Sequence, residues 1–157
     1  MPESTPANLL RTPLYALHVT QGGRMVPFGG WEMPLQYRGI LAEARAVRGG
    51  VGLFDVSHMG RLWFRGPDAV AFLERLLAAN VGDLRPGRAR YTFLLNEDGG
   101  IIDDTVVYRL EDGADQEALL LVCNAATRTT VLGWLDRWSA PFPEAKLQDS
   151  TAETVMI

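Results

Sequence analysis

Apolar residues recur along this chain at two spacings, every second residue or every third to fourth, and the switches between them lay out its elements. Over residues 38–48, Ile40, Leu41, Ala44 and Val47 share one helical face, with Arg38, Glu43 and Arg45 largely elsewhere; this predicts an amphipathic helix stopped by Gly49-Gly50. Residues 51–56 read as a short apolar strand. Leu62 and Phe64 alternate with Arg61, Trp63 and Arg65, the period-2 pattern of a strand ended by Gly66. Pro67 suits a first helical turn, where its missing N–H costs nothing. Val70, Phe72, Leu73, Leu76 and Leu77 then form the buried stripe of a helix closing near Asn80.

Strands over 89–96 and 101–110 flank Glu97-Asp98-Gly99-Gly100, a hairpin signal. Asp112-Gly113 predicts a further turn and 118–123 a buried strand. Asn124 is the expected N-cap of a helix that carries Val131, Trp134, Leu135 and Trp138 toward the core. A last strand is expected over 146–149. The stretch 11–37 is broken by Gly22-Gly23, Pro27, Gly29-Gly30 and Pro34, so it predicts an ordered loop with short strands, after ten frayed residues. Ser150-x-x-Glu153 resembles a capping box, and Val155-Met156-Ile157 the start of a buried element, so the chain is expected to be part of a larger protein with an apolar face left uncovered. No internal repeat is present.

Composition narrows the function classes. Fifteen basic against nineteen acidic residues give a net charge of -4, which disfavours nucleic acid or an anionic membrane as the main partner. With Cys123 the sole cysteine and His18 and His58 the sole histidines, no disulfide and no metal site are expected. No apolar run approaches the ~20 residues of a membrane span. Met1-Pro2-Glu3-Ser4 lacks the start of a secretory signal, and the chain reads as a soluble protein of the bacterial cytoplasm.

Several motifs carry less chemistry than they suggest. Gly50-x-Gly52 lacks the third glycine of a dinucleotide fingerprint, Asp55 standing in its place. Ser57-His58 has no strained nucleophile turn around it. Arg85, Arg88 and Arg90 read as a solvated turn, with contact to an acidic partner or polyanionic ligand as the alternative, and Cys123 as a small buried hydrophobe. Asp103-Asp104 is the informative pair. In a strand one carboxylate faces each side of the sheet, and both are flanked by Ile101, Ile102, Val106 and Val107, so one must find donors in a largely apolar setting. Asp104 shares its face with Tyr108, and a carboxylate beside a phenol suits a heteroaromatic ligand.

Longer blocks carry a family resemblance. They run Arg11-Thr12-Pro13-Leu14-Tyr15 with His18, then Gly23-Arg24-Met25-Val26-Pro27-Phe28 with Gly30-Trp31-Glu32-Met33-Pro34. Ala46-Val47-Arg48, Val51 to Gly60 and Tyr91-Thr92 follow, then Leu95-Asn96-Glu97, Gly99 to Asp104, Val107-Tyr108 and Asn124-Ala125-Ala126. In this order and spacing the chain resembles the N-terminal part of the glycine-cleavage T-protein family, tetrahydrofolate-dependent aminomethyltransferases. Gly29 where the family commonly has Ala, and Asn80-Val81 without an intervening acid, are departures.

The resemblance implies an α+β fold of mixed or antiparallel sheets with packed helices. A first domain of residues 1–59 and 146–157 would hold an inserted second domain, 60–145; a third domain and the rest of the first would lie outside this chain. It implies Asp104 as the catalytic residue, with Met59, Tyr91, Asp104, Tyr108 and Asn124 lining the tetrahydrofolate site. The implied partner is the lipoylated H-protein, whose aminomethyl group passes to tetrahydrofolate with release of ammonia. Two related readings use the same module: a non-catalytic folate-binding iron–sulfur assembly factor, and a dimethylglycine- or sarcosine-type demethylating enzyme.

Overall fold

Among the described residues, five antiparallel strands in the spatial order Arg88–Leu95, Ile101–Glu111, Glu117–Cys123, Gly60–Arg65 and Lys146–Asp149 make the larger of two sheets, and a hairpin of Arg24–Phe28 and Trp31–Gln36 makes the other. The computed structural model describes residues 8–111 and 117–157. Its elements are α1 (Tyr15–Thr20), β1 (Arg24–Phe28), β2 (Trp31–Gln36), α2 (Ile40–Gly49), β3 (Gly60–Arg65), α3 (Ala69–Leu76), β4 (Arg88–Leu95), β5 (Ile101–Glu111), β6 (Glu117–Cys123), α4 (Arg128–Arg137) and β7 (Lys146–Asp149). The expected turn at Asp112-Gly113 and the first seven residues lie outside the described residues. The chain divides into two compact units: one runs to His58 and resumes at Ala152–Ile157, the other is Met59–Thr151.

In the second unit the sequence periodicity becomes a closed core. β3 and β6 pair Leu62 with Leu121 and Phe64 with Leu119, so large apolar side chains stand opposite each other on one face. Phe72, Leu73 and Leu76 of α3 and Val131 and Leu135 of α4 cover that face, all buried. Each such side chain contributes about 1.5–3 kcal/mol through burial, and here they form one cluster. Two glycines permit the close approaches. A Cβ on Gly60 would stand 2.3 Å from Cys123 Sγ, and one on Gly66, at φ +96°, would stand 2.0 Å from the Glu144 carbonyl oxygen. The expected boundary at Lys146 shifts, because β7 pairs with β3 and Thr151 Oγ1 accepts the Arg61 N–H at 3.0 Å. Residues 146–151 therefore complete the second unit's sheet edge rather than return to the first unit.

The first unit is built differently. Trp31 and Met33 of the hairpin are its buried apolar side chains among the described residues. Ile40, Leu41, Val51, Leu53, Phe54, Val155 and Ile157 are exposed. The apolar stripe of α2 forms as periodicity predicts, but nothing described covers it. Residues 51–56 are not a strand; one backbone bond, Val56 N–H to Met156 O at 2.9 Å, replaces the expected ladder. Nor do Val155 and Ile157 enter a buried element, at 45% and 71% exposure. Ser150 caps no helix either: residues 151–153 form a turn, and its hydroxyl accepts the Trp63 indole N–H at 3.1 Å.

A polar knot holds this unit in place of a core. The Asp55 side chain, 1% exposed, accepts the Thr12 hydroxyl at 2.8 Å and His18 Nε2–H at 2.7 Å on Oδ2, and the Ser57 N–H at 2.8 Å on Oδ1. His18 Nδ1 meets the Tyr37 hydroxyl at 2.6 Å. Burial pushes the Asp55 carboxyl upward, but the bonds from Ser57, His18 and Thr12 outweigh it and hold it below the usual carboxylate range. The Gly- and Pro-rich stretch does not predict α1, and this knot explains it: Thr12, just before the helix, and His18, in its last turn, anchor a six-residue helix too short to persist alone.

Candidate functional site

β4 and β5 pair Phe93 with Asp104 and Tyr91 with Val106. Alternation then separates the two carboxylates. Asp103, with Leu94, Thr105 and Val107, is buried on the helix-covered face; Asp104 and Tyr91 lie exposed on the other. The acid in the apolar setting is thus Asp103, and its donors come from one residue. Asn124, just past β6, gives its backbone N–H to Asp103 Oδ2 at 2.8 Å and Nδ2 to Asp103 Oδ1 at 2.9 Å.

The same amide reaches Asp104. Asn124 Nδ2 donates to Asp104 Oδ1 at 2.9 Å, and the Tyr91 hydroxyl donates to Oδ2 at 2.9 Å. Two acceptor-only carboxylates therefore hold the Asn124 amide with its NH2 toward them and its carbonyl oxygen turned away. Each Asp104 oxygen has taken one bond, which leaves acceptor capacity on the open face. Tyr91 and Phe93 pack edge to face at 5.5 Å, a rigid aromatic wall beside it. Acceptors in a row beside an aromatic ring suit a flat, N–H-bearing heterocycle.

Asn124 does not cap α4 as expected. Thr127 occupies the N-cap position, and its hydroxyl donates to the Asn124 carbonyl at 3.2 Å. A better bargain explains the change: two carboxylates outbid helix amides for the Asn124 side chain.

Met59 lies half-buried at the same sheet end, just before Gly60, which pairs with Cys123, the residue preceding Asn124. Its carbonyl accepts Arg61 Nη1 at 2.6 Å, and Arg61 Nη2 also binds the Thr151 carbonyl. Arg61 is 4% exposed, although alternation with Leu62 and Phe64 reads it as solvent-facing; nothing in the local pattern reveals the carbonyls it serves. Tyr108 shares the face of Asp104 but sits opposite Ala89 and Leu120, about 13 Å along the strand at ~3.4 Å per residue. The phenol that reaches Asp104 is Tyr91, brought across by strand pairing. The alternation that places Tyr91 on this face also places Phe93 there, two residues on and opposite Asp104.

The hydrogen bond to Asp104, with some burial and the charges of Asp104 and Asp103, raises the Tyr91 hydroxyl above the ordinary tyrosine range. The phenol thus stays a donor well into alkaline solution. In a phenolate absorbance titration, Asp104→Asn is expected to bring one tyrosine back toward about 10. Superimposable titrations of the two proteins would refute the contact. Burial, with the charge of Asp103, pushes the Cys123 thiol up to about 12, so it is no nucleophile at neutral pH. Ser57 accepts the Met156 N–H at 3.0 Å and is likewise a structural hydroxyl.

Fold and site together define an α+β protein with antiparallel sheets, presenting a carboxylate, a phenol and an amide on one sheet face. The GCVT N-terminal domain family model matches residues 14–157, and the chain belongs to that family. Aminomethyltransferase of Desulforamulus reducens is 47% identical over 133 residues, which cover 85% of this chain and 35% of that protein. Aminomethyltransferase of Thermosynechococcus vestitus is 46% identical over 149 residues, 95% of this chain and 38% of its own. The crystal structure of glycine cleavage system aminomethyltransferase T from Bartonella henselae matches with a TM-score of 0.82 at 38% identity, over 90% of this chain and 38% of that one. The chain spans little more than a third of the length of these relatives.

Proposed function

We propose that the chain is the N-terminal part of a glycine-cleavage aminomethyltransferase, acting with lipoylated H-protein and tetrahydrofolate in the cytoplasm. The Tyr91–Asp104–Asn124 cluster, in a chain about 46% identical to aminomethyltransferases, carries this reading. Tetrahydrofolate enters as substrate. The N–H edge of its pterin matches the open acceptors of Asp104 and the outward carbonyl of Asn124, and the Tyr91–Phe93 pair and Met59 supply apolar contact. The aminomethyl carbon leaves the lipoyl sulfur for one tetrahydrofolate nitrogen, whose proton goes to the sulfur; a second folate nitrogen then bonds the same carbon as the amine departs with that nitrogen's proton as ammonia. Asp104 orients the acceptor nitrogen and stabilises positive charge developing there before its proton is lost. The uncovered apolar face of the first unit, in this reading, is closed by sequence that the longer relatives also possess.

A polypeptide of the relatives' full length carrying this segment is expected to form methylenetetrahydrofolate and ammonia in equal amounts from aminomethyl-loaded H-protein. The 157-residue chain alone is expected to bind tetrahydrofolate weakly and to transfer nothing, because one wall leaves most of the ligand in water. Folate binding by the full-length protein without ammonia release would overturn the transferase reading. Micromolar binding by the isolated chain would overturn the half-site assignment.

A further inference from the structure

A cleft in the Met59–Thr151 unit takes no part in the cluster around Asp104. Arg75, Leu76, Leu77, Glu97, Trp134 and Trp138 line it, and it encloses about 360 Å³, within the size range of small-molecule sites. Trp134 and Trp138 turn toward the core as expected and pack against it half-buried, at the edge of the stripe that Val131 and Leu135 fill. They pack edge to face at 5.8 Å, and among the described residues neither buried indole N–H has an acceptor. Such unpaired donors are uncommon in native structures and call for an explanation.

The charge at this cleft points to what would satisfy them. Arg137 lies 5.2 Å from the Trp134 ring centroid and is paired with Glu97 at 2.9 Å. Arg75 lies 5.4 Å from the Trp138 centroid, exposed, with no carboxylate partner among the described residues. Glu97 of the lining is taken by Arg137 from outside it, so Arg75 is the lining cation left without a carboxylate among the described residues. A guanidinium with its fork unoccupied takes a planar carboxylate by two parallel bonds. Leu76 and Leu77 offer an apolar floor, while Glu97 opposes a second negative charge.

We propose that this cleft binds a small monocarboxylate with an apolar or aromatic body, its oxygens on Arg75 and within reach of the indole N–H groups after small side-chain shifts. Phenylacetate is the probe, added to the ¹⁵N-labelled 157-residue chain while the indole N–H resonances are followed. Those of Trp134 and Trp138, assigned through Trp134→Phe and Trp138→Phe, are expected to move saturably, while Trp31 and Trp63 stay fixed and report an intact fold. Arg75→Gln, at an exposed position, should weaken binding by at least about tenfold, and phenylacetamide, which lacks the charge, should bind at least about tenfold more weakly. Equal binding of phenylacetamide, undiminished binding by Arg75→Gln, or no saturation below about 50 mM would each overturn the proposal.

Discussion

Asp104→Asn, in a full-length polypeptide carrying this segment, is expected to lower aminomethyl transfer on the order of 10²-fold, the scale of losing a positioned acid–base group. Stability should hardly change, because Asp104 is exposed and surface substitutions usually stay within about 0.5 kcal/mol. Asp103→Asn should behave in the opposite way. That carboxylate is 5% exposed and accepts two bonds from Asn124, so an amide there sets donor against donor. A loss of about 2 kcal/mol in unfolding free energy is expected, with a smaller fall in turnover as Asn124 loses its fixed orientation. Paired measurements of turnover and urea unfolding on both variants decide it. Equal loss of turnover would mean that the two carboxylates act as one unit and that the division of labour is wrong.

The second large effect falls on the first unit. Asp55→Ala removes the acceptor shared by Thr12, His18 and the Ser57 N–H, and leaves all three donors inside. Opening a buried network of this kind costs on the order of 3 kcal/mol or more, and a unit with Trp31 and Met33 as its buried apolar side chains has little to offset that. Native-state hydrogen exchange should show the hairpin and α1 losing protection while the amides of β5 and β6 keep theirs. The pH dependence has a definite sign. A carboxyl held below its ordinary value contributes fully above about pH 4, and that contribution disappears as pH falls through the lower, folded-state value. Asp55→Asn should start less stable at neutral pH and lose part of this acid sensitivity. Undiminished protection of α1 in Asp55→Ala would show that the knot is incidental.

Sequence by itself determined most of the second unit's strands and helices. The period-2 runs over β3, β4, β5 and β6 and the apolar stripe of α3 are local properties, and the Gly99-Gly100 turn brings β4 against β5 without help from distant chain. The same alternation placed Asp103 and Asp104 on opposite faces of the sheet. The first unit was least legible, because its order rests on polar contacts 37 and 43 residues apart in sequence, His18 and Thr12 to Asp55, and no local pattern encodes such a pairing. Residues 51–56 were apolar enough for a strand, yet a strand needs a partner edge, which composition cannot supply. Tertiary structure also decided the site. Strand register brought Tyr91, thirteen residues from Asp104, to the carboxylate and left Tyr108 farther along the same strand. Asn124 was committed to two carboxylates instead of a helix end for the same reason: which donor meets which acceptor depends on how strands pair, and pairing is a property of the whole sheet.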